Sequence, residues 1–153
     1  MLIFNFILQG WPETAAVIFT AFAIVGYKPN LREIISYSLL LVSILYLFRM
    51  HPMLFGLHTL AGLLVIALII HKVTKSSLGN SFFAAASTVL ILLLIETWFY
   101  FLFGRIIGNV QMSQRWLWIL VGWPQIASLA GVAIIIRKLR PSVINKQRWL
   151  NKL

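Results

Sequence analysis

Apolar residues run along this chain in stretches of about 20, the length that crosses roughly 30 Å of hydrocarbon, and short polar clusters separate them. Five such stretches are read, over residues 2–27, 33–49, 53–71, 81–106 and 116–136. The second is short and the fourth long, so their tilts should differ. The connections at 27–32 and 71–80 carry turn-forming residues, and Arg49-Met50-His51-Pro52 is nearly a hairpin. The pattern predicts an all-α, polytopic membrane protein: one five-helix transmembrane domain over residues 1–137, followed by a basic tail over 138–153.

Within the apolar runs one motif occurs twice. Gly10-Trp11-Pro12-Glu13 and Gly122-Trp123-Pro124-Gln125 stand 112 residues apart, and the same offset pairs Ala15 with Ala127, Ala21 with Ala133 and Pro29 with Pro141. The first and fifth helices, separated by four crossings, would then be parallel and structurally equivalent copies. Proline removes a backbone donor and crowds the carbonyl four residues earlier, so Pro12 and Pro124 are each expected to free a carbonyl and permit a kink. In hydrocarbon that carbonyl must find a partner or line a polar cavity. A polar residue follows each proline, Glu13 or Gln125, and helical rise puts both near the bilayer midplane. Interrupted helices with polar groups at that depth are a recurring way to build a ligand site.

Other polar residues reach similar depth. His58 is expected about two turns below the outer end of the third helix, and Glu96 two to three turns below that of the fourth. Arg49, His51 and Arg105 would stand above them at the outer mouth. Ionisable groups inside a span are costly and mark function by default. Glu13, His58, Glu96 and Gln125, with Arg49, Arg105, Trp11 and Trp123, are therefore the candidate ligand-binding residues, with Pro12 and Pro124 as helix breaks. The competing reading is a clasp, Glu96 with His58 or Glu13 with Arg105, that only holds the bundle together.

Composition supports the membrane assignment and narrows the chemistry. Of 153 residues, 61% are hydrophobic and 10% charged, with a mean hydropathy of +0.93, well outside the range of ordinary soluble domains. The net charge of +10 is read as topology. Five crossings put Lys28, Arg32, Lys72, Lys75, Arg137, Lys138, Arg140, Lys146, Arg148 and Lys152 on one side and Arg49, Arg105 and Arg115 on the other. The positive-inside rule then places the N-terminus outside and the tail in the cytoplasm of a cell membrane. No nucleic-acid partner is expected, because the last dozen residues are too few for a folded basic module; as a helix they would suit an anionic leaflet surface. The start of the chain has no basic n-region or small-residue cleavage pattern, so no removed signal peptide is expected. With no cysteine, disulfides and thiolate chemistry drop out. No motif fixes a nucleophile, so no enzyme activity is expected. His58 and His71, 13 residues apart on one helix, are about 20 Å from each other, and no cofactor or metal is assigned. Aromatic residues such as Trp98, Tyr100 and Trp118 gather near the outer ends as belt anchors would.

The order Gln9-Gly10, Pro12-Glu13, Arg49, Pro52, Phe55-Gly56-Leu57-His58-Thr59 and Pro124-Gln125 resembles the membrane sensor domain of the sporulation-type (GHKL) sensor histidine kinases of Gram-positive bacteria. The resemblance covers roughly the whole chain, and its distinctive elements are Pro-Glu and Phe-Gly-x-His-Thr. It implies a multi-span sensor fold and marks Glu13, His58 and Gln125 as sensory. The chain departs from that family in carrying no phosphorylation helix and no ATP-binding domain before Leu153. The expected function is a membrane sensor or signalling module that recognises a small or lipid-like ligand from the outer side, working as a homo-oligomer or with a cytoplasmic signalling partner. Its rivals are the substrate-binding subunit of an energy-coupling-factor importer and a structural or assembly protein.

Overall fold

The computed structural model describes residues 6–49, 57–107 and 115–139, and every regular element among them is helical. A π-helical turn over Phe6–Gly10 leads directly into α1 (Trp11–Val25); α2 (Leu31–Arg49), α3 (Leu57–Thr74), α4 (Leu78–Ile107) and α5 (Arg115–Leu139) follow. The chain is thus all-α with five helices. The first, counted with its π turn, and the next three are long and apolar enough to cross a membrane, which makes this a polytopic membrane protein. The tail from residue 140 onward and the 50–56 and 108–114 connections lie outside the described residues.

Local chemistry fixes the helix ends. Gly26 closes α1 in the left-handed region (φ 81°) and returns its N–H to the Ala23 carbonyl, the C-terminal stop that glycine makes at low cost. Four residues on, Asn30 begins α2. Its carbonyl accepts the Ile34 N–H and its own N–H donates to Glu33 Oε2 at 2.8 Å, which is the carboxylate half of a capping box. Tyr27 Oη donates to the other Glu33 oxygen at 2.9 Å, tying the turn to both helices. The α3–α4 connection is tighter. Lys75 takes a left-handed conformation (φ 52°), which costs a non-glycine residue about 1 kcal/mol. A chain of hydroxyls, Thr74 to Ser76 to Ser81, holds it there.

α1 is the inner helix. It packs against α2, α4 and α5, and the outer helices α2, α3, α4 and α5 follow one another around it. Its buried residues, among them Ala16, Ile18, Thr20, Ala21 and Phe22, occupy several faces, as a helix enclosed by others requires. Small residues such as Ser38, Ala84, Ala85, Thr88 and Ala133 lie inside beside Leu41, Ile70 and Leu129, while Leu47, Leu68, Phe83, Leu94 and Trp98 face outward. Lipid supplies no hydrophobic drive between helices, so close approach through small residues does the packing.

Because neighbouring helices alternate in direction, Lys28, Arg32, Lys72, Lys75, Arg137 and Lys138 gather at one end of the bundle. Arg105 lies near the opposite end, on the last turn of α4.

Candidate functional site

The two Gly-Trp-Pro motifs meet. A Cβ at Gly122 would stand 2.6 Å from Gln9 Nε2, and farther along the Thr20 hydroxyl lies 3.4 Å from the Leu129 carbonyl. Both contacts advance in the same sense, so α1 and α5 run parallel. Their separations, 113 residues at Gln9–Gly122 and 109 at Thr20–Leu129, bracket the 112-residue repeat. Ala21 and Ala133, one repeat apart, are both buried. Glu13 and Gln125 therefore stand at one level on neighbouring helices, about 18–21 Å from the basic ends of α1 and α5.

The motifs are built differently. Pro12 occupies the first turn of α1 directly after the π turn, a position where proline's missing N–H is tolerated. Pro124 lies inside α5, where it removes an internal donor as expected. Trp11 is half-buried and its indole N–H donates to Ser38 Oγ at 2.9 Å. Trp123 is 50% exposed on the outer surface. The Thr14 hydroxyl sits 3.0 Å from the Gly10 carbonyl, 2.9 Å from that of Trp11 and 3.2 Å from that of Ser38. Trp11, Thr14 and Ser38 together lock α1 to α2, a polar seam that hydropathy did not single out.

Gln125 is 9% exposed, and among the described residues its side-chain amide makes no hydrogen bond. No sealed side-chain polar atom lacks a partner there either, so the amide must border accessible space in the bundle. Glu13 is half-buried in the first turn of α1 and is itself engaged in an interaction.

The remaining candidates are spread out. His58 is half-buried in the first described turn of α3 and is engaged in an interaction; the residues ahead of Leu57 lie outside the described set. Glu96 is half-buried on α4, about 27 Å from that helix's start. His58 is about 24 Å from the end of α3, a comparable level. Among the described residues no hydrogen bond or ion pair joins Glu96 to His58, or Glu13 to Arg105. The Arg105 guanidinium lies 4.6 Å from the Phe101 ring centroid. Arg49 ends α2, and its side chain lies outside the described set, as does His51. No group of three or more His, Asp or Glu side chains able to hold a metal occurs among the described residues.

Sequence reading missed Glu33 as a structural acid, although Asn30-Leu31-Arg32-Glu33 carries the spacing of a capping box. It also missed Ser38 and Thr20, small polar residues whose burial depends on which helix is innermost. No protein-family model, no characterised protein and no solved structure matches this chain. The all-helical architecture with long apolar helices agrees with the fold implied by the sensor-kinase resemblance, and no family assignment follows.

Proposed function

We propose that this protein is a membrane sensor or signalling module whose fifth helix also crosses the bilayer, and that a small or lipid-like ligand binds where the paired motifs of α1 and α5 meet. One observation carries the reading: Gln125, 9% exposed as a residue, makes no side-chain hydrogen bond among the described residues, and its amide borders accessible space. An otherwise apolar pocket takes its specificity from a few such polar groups. A ligand with an adjacent donor and acceptor would satisfy the amide, and Glu13 stands at the same level. Pro124 immediately precedes Gln125 and removes a donor from the ladder of α5 there, so engaging the amide would bias how α5 bends at that point. The change is carried along that helix to its basic end. The basic end faces the cytoplasm in this reading, and the site is reached from the opposite side.

Native mass spectrometry of the purified full-length chain tests the proposal. Wild type should retain a small molecule that Gln125→Leu loses while keeping its melting temperature, since the apolar replacement removes the unpaired amide. Equal retention by the variant, or no retained molecule and no stabilisation by a cell lipid extract, would rule Gln125 out of a ligand site.

A further inference from the structure

We infer that the groove between α3 and α4 at the basic end of the bundle seats an acyl chain of an anionic phospholipid whose phosphate rests between Lys72 and Lys75. The groove has a volume of about 390 Å³ and is lined by Leu64, Ala67, Leu68, Leu78, Gly79 and Phe82. Leu64, Leu68 and Lys72 follow at steps of four and form one row along α3, so the apolar wall leads directly to a cation. Lys72 and Lys75 are both exposed. No acidic residue occurs between Glu33 and Glu96. Glu33, at the same end, is engaged by Tyr27 and Asn30, and Glu96 is far along α4. The other charged groups at this end, Lys28, Arg32, Arg137 and Lys138, are cations that add to the attraction.

The mouth of the groove is held in shape. The Ser76 carbonyl lies 2.7 Å from His71 Nδ1, and the Thr74–Ser76–Ser81 hydroxyls fix the turn with Lys75 in its left-handed conformation. An apolar helix from another protein could cover Leu68 and Phe82, but it would leave two cations at the rim unanswered. A phospholipid bearing net negative charge answers both halves of the surface, as basic pockets between membrane helices do. This site lies apart from Gln125 and stands or falls independently of it.

The full-length chain in mild detergent is titrated with dioleoylphosphatidylglycerol or dioleoylphosphatidylcholine, and its melting temperature is followed. Phosphatidylglycerol should raise it more than phosphatidylcholine does, because a ligand bound only to the folded state stabilises it by mass action. Lys72→Gln with Lys75→Gln should lose more than half of that difference, whereas Lys28→Gln with Arg32→Gln, which removes two of the more distant cations, should lose a clearly smaller part of it. Lys75→Gly provides a folded check: it should melt higher than wild type without lipid, because glycine relieves the left-handed strain, yet respond less to phosphatidylglycerol. Equal shifts from the two lipids, an undiminished difference in the Lys72/Lys75 variant, or an equal loss in the Lys28/Arg32 variant would overturn the site.

Discussion

Trp11 and Trp123 hold the same position in two copies of one motif and meet different surroundings. The first spends its indole N–H on Ser38, and the second faces outward. The difference lies in the helices that carry them, since α1 has neighbours on several sides and α5 has one open flank. Trp11→Phe keeps most of the apolar contact and removes the hydrogen bond. Ser38 can still donate to the Ile35 carbonyl, so no donor is stranded. A loss of about 1 kcal/mol is expected, read as a lower melting temperature, while Trp123→Phe should change it little. The polar side chains themselves were legible in the sequence, and so was the shared level of Glu13 and Gln125, because both follow from residue type and helical rise. What Gln125 lacks was not legible, since a missing partner depends on which groups of other helices turn toward it.

Helix ends and interruptions were partly written in the chain. The Asn30–Glu33 spacing encodes the start of α2, and Glu33→Ala, which removes the acceptor for both Asn30 N–H and Tyr27 Oη, should cost about 1 kcal/mol of thermal stability. Glu33→Gln should recover part of it. The two prolines separate in the same way. Pro12 follows a π turn and sits in the first α-helical turn, where proline is tolerated, so Pro12→Ala should leave both helix content and ligand response near wild type. Pro124→Ala should restore the interrupted ladder and straighten α5, with a larger effect on the response than on the melt; spin-label distances across α5 would read the straightening. Equal behaviour of the two variants would contradict the distinction. The sequence repeat located both motifs but could not tell an early position from an internal one, because that depends on the π turn.

At the scale of the molecule, the number and approximate extent of the helices followed from hydropathy, and their arrangement did not. All five are apolar on every side, so no polar face announces which one is enclosed. Burial carries that information: α1 brings Ala16, Ile18, Thr20, Ala21 and Phe22 into the interior, and the outer helices turn Leu47, Leu68, Phe83, Leu94 and Trp98 away from it. The repeat predicted the parallel pairing of α1 with α5, whereas a central α1 emerges only from the packing. The concentration of cations at one end then becomes a statement about orientation, and with it about the side from which the proposed ligand would reach Gln125. Single cysteines introduced into this cysteine-free chain at Ser77, in the α3–α4 connection, and at Gln111, beyond α4, test that most directly. In intact cells a membrane-impermeant thiol reagent should label Gln111→Cys at once and Ser77→Cys only after permeabilisation; labelling in the reverse order, or of both in intact cells, would contradict the orientation.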